Sequence, residues 1–352
     1  MSPTAEADAN ARLREIVSSV ATPYVLGASL ALGLPDIFGD ENLDASAAAE
    51  RAGIPVGRLS RLLRILVDLG ILVRAGTDGF ALSSTGRLLR SDVAGSLRDL
   101  VLLGTHPTAV LPWTRLEFSL STGQPAFDEV FGSSAFDYFA ADPKLGSLYN
   151  AAMAAGGRDL AAAVADCYDF GRHSRIVDIG GGDGTLLAAV LSRWPTLTGT
   201  VFDTVTGTAS TSTNLRSAAV ADRCSVTVGD FFTSVPEGAD LYVLKWILHD
   251  WDDAPAAEIL GNCRKAMNAT DRLLIIDRVI PDPCSTSGSL HPHMSDLAML
   301  VLYGGRERAR DEFETLCTTA GFTIEQIDPL PQRYDASLIT LSPDWEQSQA
   351  IR

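Results

Sequence analysis

Apolar positions along the chain change period twice, and the changes mark out its organisation. Over residues 11–38, Leu13, Ile16, Val17, Val20, Tyr24, Val25, Leu30 and Leu34 recur at helical spacing on one broad face. Residues 21–38 are rich in small apolar side chains, which suits helices packed closely against another chain. A helix over 45–52 follows, with Asp44 or Ser46 available to cap it, and Gly53-Ile54-Pro55 ends it. A second helix over 56–69 carries Leu59, Leu62, Leu63, Leu66 and Val67 on one face. Two short apolar runs, Ile71-Leu72-Val73 and Phe80-Ala81-Leu82, flank the turn Gly76-Thr77-Asp78-Gly79 and predict a hairpin. From 97 to 170 the pattern is mostly helical.

After Arg175 the period alternates. Short apolar runs predict strands at 175–179, 199–203, 225–230, 240–247, 272–279, 322–328 and 336–342, with helices between them, notably over 254–267 and 311–320. Alternation of this kind predicts an α/β domain with a mostly parallel sheet covered on both faces. Residues 281–293, with their prolines and serines, read as a loop. The order helix, turn, helix, hairpin before residue 90 is a winged-helix pattern. The expected division is 1–100, a mostly helical winged-helix-like module; 101–170, a helical connecting region that contributes to a binding pocket; and 171–345, the catalytic α/β domain.

Composition narrows the partners. The chain has 352 residues and a formal net charge of −16, which argues against a polyanion such as DNA or an anionic membrane. The segment 44–90 is locally basic, with Arg51, Arg58, Arg61, Arg64, Arg74, Arg87 and Arg90 against Asp44, Glu50, Asp68 and Asp78. That surplus is small, so a solvated or interface face is the plainer account than DNA binding. No secretory signal is visible and no apolar run approaches the roughly 20 residues of a membrane span. The five cysteines, Cys167, Cys224, Cys263, Cys284 and Cys317, are scattered without a C-x-x-C pair. A reducing, cytoplasmic setting is the expectation, with no thiolate metal site.

The densest chemistry follows the run Arg175-Ile176-Val177. Asp178-Ile179-Gly180-Gly181-Gly182-Asp183-Gly184 joins a strand to a helix beginning at Thr185, a place where a nucleotide-like ligand can touch backbone. A dinucleotide fingerprint counted from Gly180 would put its third glycine at Thr185. The spacing is instead D-x-G-x-G-x-G, which resembles motif I of S-adenosylmethionine-dependent methyltransferases. Ligands of such sheets bind beyond the C-terminal strand ends, so the polar residues there are the candidates. Asp203 ends the second strand and can accept from ribose hydroxyls, or cap a helix. After the third, Asp230 can accept from an adenine amino group and Phe231 can stack on the ring, or fill core. After the fourth come Lys245-Trp246-Ile247-Leu248-His249-Asp250-Trp251-Asp252-Asp253. His249, near its free pKa of about 6.5, can take a proton at neutral pH. Asp252 and Asp253 read as helix N-terminal acids favoured by the dipole. His106, His173, His291 and His293 carry weaker signals, and no carboxylate cluster supports a metal at the last two.

Taken together, these stretches, with Gly229-Asp230-Phe231-Phe232, Gly304-Gly305-Arg306-Glu307-Arg308 and Thr122-Gly123-Gln124-Pro125-Ala126-Phe127, resemble the plant-type small-molecule O-methyltransferases. That family includes caffeic acid and acetylserotonin enzymes and a bacterial natural-product branch. The resemblance covers nearly the whole chain. It implies a seven-stranded Rossmann-like sheet with helices on both faces, preceded by a winged-helix dimerisation domain. It implies that His249 is the general base, flanked by Asp277 and Glu307. Many plant members have glutamate at the first of these, and aspartate is one methylene shorter. It implies that Asp178, Gly180, Gly182, Asp203, Asp230, Phe231 and Lys245 hold the cofactor, and that Asn150, Met153, Trp246, Asp250, Asp296 and Met299 line the acceptor side. Trp113 and Phe139 are further candidates for that pocket. S-adenosylmethionine as donor, S-adenosylhomocysteine as product, a small aromatic acceptor, a homodimer and no metal complete the expectation. Two other readings are a family member with a hydroxylating or pericyclic reaction, and a ligand-sensing DNA-binding protein.

Overall fold

The structure, a computed structural model, describes residues 3–280 and 291–344. The chain separates into two compact units, one of residues 1–110 with 151–155 and the other of 111–150 with 156–352. The segment 101–170 therefore does not stand apart as a connecting region. It divides between the two units, and most of it belongs to the second.

In the first unit the helices Pro3–Ser18, Thr22–Ala31 and Leu34–Phe38 take up the leading apolar stretch, with a short 3-10 turn at Ser19–Ala21. A two-residue strand β1, Leu43–Asp44, precedes the helix Ala45–Ala52. The cap is Asp44, whose carboxylate accepts from the Ala47 N–H at 2.8 Å. The helix Val56–Asp68 turns Leu59, Leu63 and Leu66 into the core with Phe38, Leu72 and Phe80. Strands β2, Leu72–Ala75, and β3, Gly79–Leu82, form the expected hairpin, and the small sheet runs β1-β3-β2.

The second unit is built on seven strands: β4 Arg175–Ile179, β5 Thr198–Asp203, β6 Cys224–Val228, β7 Leu241–Lys245, β8 Arg272–Asp277, and, after the short β9 Val279–Ile280 and β10 Arg308–Ala309, β11 Phe322–Pro329 and β12 Ser337–Pro343. Their order is β11-β12-β8-β7-β4-β5-β6. The pairs from β8 through β6 are parallel, and β12 and β11 close the edge antiparallel. Apolar runs build this sheet because both faces are covered. Ile176, Leu241, Val243, Leu274 and Ile276 join one core cluster, and Val177, Tyr242, Leu244, Leu273 and Ile275 join the other. The strand period of two sends alternate residues of each run to opposite cores.

Two strand ends differ from expectation for local reasons. Strand β7 stops at Lys245 because Trp246 takes a positive φ of 53°, an uncommon conformation for a bulky side chain. The run 272–279 breaks after Asp277, and its last residues leave the large sheet to pair in parallel with β10, Val279 opposite Arg308. The loop expected over 281–293 lies outside the described residues as far as 290. From 291 the chain is already helical, His291–Leu302, so His293 sits in a helix. Cys284 also falls outside the described residues. Among the described residues no helix is long and apolar enough to cross a membrane.

Candidate active site

Strand order reverses about β4. The chain steps from β4 to β5 and β6 on one side, then returns to place β7 on the other. A crevice opens at such a switch point beyond the C-terminal strand ends. Asp178, Asp203, Lys245 and Asp277 all sit at or near those ends, and Asp230 follows β6.

The glycine turn forms the floor. Gly180 and Gly182 both take positive φ, 68° and 55°, which glycine adopts without penalty. A Cβ on Gly180 would also lie 2.3 Å from Ile247 Cδ1, with Phe231 Cε1 at 3.7 Å, so Phe231 flanks the turn as expected. Asp203 Oδ2 accepts from the Gly182 N–H at 2.8 Å and Oδ1 from the Thr204 N–H at 2.6 Å. A carboxylate has about four acceptor positions, so capacity remains for hydroxyl donors. Asp230 is exposed and its Oδ1 accepts from the Phe232 N–H at 2.9 Å.

Asp178 lies beneath the turn, fully buried, and neither carboxylate oxygen has a hydrogen-bond partner. Burial pushes its pKa up to about 7; Lys245 opposes the rise, while Asp203 and Asp183 add to it. Lys245 stands over the Trp246 ring, Nζ 4.6 Å from the centroid. Burial lowers its pKa, against the pull of Asp178 and Asp183.

These residues fit S-adenosylmethionine. An orphaned carboxylate behind a glycine cradle and a second carboxylate at the end of β5 suit a ligand with cationic groups and a ribose.

His249 sits in the 3-10 turn Leu248–Asp250 that follows β7. Its Nδ1 lies 3.3 Å from Glu307 Oε1 and 3.4 Å from Asp277 Oδ1; its Nε2 lies 3.6 Å from Asp250 Oδ1. The shorter aspartate therefore does reach the imidazole. Burial alone would lower the imidazole pKa, but Asp277, Asp250 and Glu307 overcome it and raise it to about 9. Burial raises Asp250 to about 7 despite His249, with Asp277 and Glu307 adding to the rise. Glu307 is pulled upward by burial and held below the usual carboxylate range by His249, Arg278 and Ser295. The donor atoms of His249, Asp277 and Glu307 lie within 4.8 Å of one another, a spacing also found around ions. Glu307 Oε1, however, already accepts from Ser295 Oγ at 2.6 Å and from Arg278 as well as facing His249.

The segment 304–308 cradles this turn. A Cβ on Gly305 would lie 2.1 Å from the His249 carbonyl oxygen and 2.4 Å from the Asp250 carbonyl carbon, backbone atoms that cannot swing away. The Arg306 N–H donates to the His249 carbonyl at 2.9 Å. Arg308 is buried, 1% exposed, and donates to the carbonyls of Leu248 and Trp251, each at 2.8 Å. Its guanidinium also pairs with Asp253 at 2.9 Å. Asp253 is thus not simply an acid at a helix N-terminus: it neutralises a buried arginine that ties down the turn carrying His249. Asp296 Oδ1 accepts from the Glu307 N–H at 3.0 Å, so it fixes the backbone beneath Glu307. The Met299 carbonyl accepts from Tyr303 and Gly305. Asn150 Nδ2 donates to the Thr206 carbonyl at 3.0 Å. Met153 belongs to the first unit and stands 37% exposed. His173, bonded to Tyr168 at 3.2 Å, and His106, bonded to Thr108 at 2.8 Å, take up structural partners.

Phe139 was a pocket candidate from the sequence, whereas Phe136, Tyr149, Trp251 and Tyr303 were assigned no role there. Phe136 stacks against Trp251 at 5.7 Å and Tyr303 at 5.2 Å, and Phe139 stacks on Tyr149 at 4.8 Å. Tyr149 and Tyr303 are half-buried near Asp250, and desolvation raises both phenols. The spacing of Phe136 three residues before Phe139 on one helix was the available signal. Arg278 and Ser295 were also missed.

Residues 113–323 match the model of the O-methyltransferase domain family, and the chain belongs to that family. It is 40% identical over 342 residues to O-demethylpuromycin-O-methyltransferase of Streptomyces alboniger, covering 96% of this chain and 90% of the relative. Among solved structures, the mitomycin 7-O-methyltransferase MmcR superposes with a TM-score of 0.87 at 32% identity, covering 97% of this chain and 99% of the other. NcsB1 from neocarzinostatin biosynthesis, solved with S-adenosylmethionine and 2-hydroxy-5-methyl naphthoic acid, superposes at 0.75 with 30% identity, over 92% of this chain and 96% of its own. The protein is an S-adenosylmethionine-dependent O-methyltransferase.

Replacing Gly305 by alanine must displace the backbone of His249 and Asp250. Because a displacement of about 1 Å can cost about 10²-fold in rate, Gly305→Ala is expected to lower kcat by that order while calorimetry shows S-adenosylhomocysteine binding retained. Wild-type turnover in this variant would remove the cradle from the account.

Proposed function

We propose that this enzyme methylates a phenolic hydroxyl of a small aromatic acceptor, with His249 as general base. The observation that carries the reading is the sidedness of the imidazole. Two carboxylates face Nδ1, so the neutral ring keeps its proton there and leaves the Nε2 lone pair free for the acceptor. Asp250, beside Nε2, lies on the acceptor side with the aromatic wall of Phe136, Trp251, Tyr149 and Tyr303. Trp246, Asn150, Asp296 and Met299 complete the proposed surroundings. S-adenosylmethionine, when bound, supplies an electrophilic methyl on its sulfonium.

The chain's own residues hold the acceptor oxygen in line and take its proton. A phenol titrates near about 10, and His249 near about 9, so proton transfer between them is close to balanced. Positioning can contribute on the order of 7–11 kcal/mol. Asp178, Gly180, Gly182, Asp203, Asp230, Phe231 and Lys245 are the proposed cofactor contacts. Relatives named as methyltransferases favour this reaction over a hydroxylating or pericyclic one.

The first unit is proposed as a winged-helix dimerisation module. Leu13, Ile16, Val17, Val20 and Tyr24 are exposed by 65%, 53%, 72%, 69% and 49%, an apolar stripe that a second copy of the chain would cover. DNA binding is disfavoured because Arg51, Arg87 and Arg90 are paired with Glu41, Asp40 and Asp92. The four described cysteines are free, which supports a reducing cytoplasm.

His249→Gln is expected to cut transfer of labelled methyl by about 10²–10⁴-fold with cofactor affinity nearly unchanged. A base must be neutral to accept a proton, so wild-type kcat/KM should climb with pH through a limb near about 9. Near-normal transfer by His249→Gln would dismiss the histidine from the chemistry. Sedimentation should give two copies of the wild-type chain and a smaller species for Val17→Asp with Val20→Asp; a monomeric wild type contradicts the dimer.

A further inference from the structure

Arg278 is a half-buried cation beside the proposed base. It follows Asp277 directly where β8 ends. The parallel pairing of β9 with β10 sets Val279 opposite Arg308. That register brings the preceding residues, Arg278 and Glu307, side by side. Arg278 Nη1 donates to Glu307 Oε1 and to Ser295 Oγ, while Ser295 Oγ donates to the same glutamate oxygen at 2.6 Å. On its other side Nε donates to Asp335 Oδ2 at 2.6 Å. The Arg278 side chain is 11% exposed and that of Glu307 is 0% exposed. The glutamate oxygen that faces His249 Nδ1 is thus the one Arg278 holds.

The charges around His249 come from several elements. Its own turn brings Asp250, and the end of β7 brings Lys245. The end of β8 brings Asp277 and Arg278. The helix His291–Leu302 brings Asp296, and the following segment brings Arg306, Glu307 and Arg308. Tyr149 and Tyr303 lie near Asp250. Asp250, Asp277 and Glu307 all act on one imidazole, and Arg278 is the cation bonded to the glutamate oxygen that faces Nδ1. A base held too tightly protonated is a poor base at neutral pH.

We propose that Arg278 is a positioning residue that sets the proton affinity of His249 by sharing Glu307, and that Asp335 moderates it from the outer side. The proposal rests on His249 being the general base. Removing the arginine's charge leaves Glu307 more available to the imidazolium, so the proton is held more strongly. Removing the Asp335 charge leaves Arg278 more fully committed to Glu307, so the proton is held less strongly. The two changes act in opposite directions, which a general loss of packing does not do.

The experiment is the pH profile of kcat/KM for wild type, Arg278→Met, Arg278→Lys and Asp335→Asn, using methyl transfer from S-adenosylmethionine to a phenolic acceptor. The acidic limb is expected to move alkaline by roughly one unit in Arg278→Met, which is about a tenfold loss below the limb. Arg278→Lys should return the limb toward its wild-type position, and Asp335→Asn should move it the other way. A limb that stays put in Arg278→Met while the plateau falls would overturn the proposal and leave a packing role only. Should Arg278→Met not fold, an unmoved limb in Asp335→Asn overturns it equally. A wild-type profile with no acidic limb would count against His249 as the base rather than against Arg278.

Discussion

One imidazole held among two buried carboxylates and a third, half-buried one organises this active site. Burying a charge is costly unless it is paired and hydrogen-bonded. Asp277 and Glu307, 1% and 0% exposed, are tolerable because His249 and Arg278 stand against them. Much of the second unit beyond the sheet can be read as support for that arrangement. Ser295 and Asp296 hold Glu307 by side chain and by backbone. Arg308, buried and neutralised by Asp253, ties down both ends of the turn that carries His249. Removing one partner from a buried pair typically costs about 3–5 kcal/mol, and Arg278 with Glu307, 11% and 0% exposed, is such a pair.

The backbone does as much as the side chains. The sheet brings its polar residues to one edge because five parallel strands end together and the order reverses at β4. At Gly180 and Gly182 the chain needs positive φ, and at Gly305 it needs the space a Cβ would fill against the His249 carbonyl. These are separate constraints. One shapes the glycine turn and the other sets the backbone of His249.

The fold was legible because strand runs in a doubly covered sheet are largely apolar, and polar residues stand at or just beyond their crevice ends. Asp178, Asp203 and His249 could be picked out by that position, whereas Asp277 and Glu307 came from the family resemblance. Other parts depended on contacts distant in sequence. Arg278 meets Glu307 only through the register of two two-residue strands, a pairing too short to carry a pattern. Asp253 looked like a dipole acid because its arginine is far along the chain. The strand after 240 was expected to run to 247, but the positive φ of Trp246 stops it and turns the chain toward His249. The stretch before His293 read as loop by its prolines and serines, yet Pro292 falls in the first turn of a helix, a position where proline is tolerated.

The central claim is that carboxylates on Nδ1 both raise the proton affinity of His249 and fix its tautomer. Nitrogen-15 NMR of the histidine ring, titrated in the folded enzyme and assigned by its loss in a histidine variant, reads both. The account predicts an apparent pKa near about 9 and a neutral ring protonated at Nδ1. A ring that titrates at or below its ordinary value of about 6.5, or that carries its neutral proton on Nε2, would contradict it.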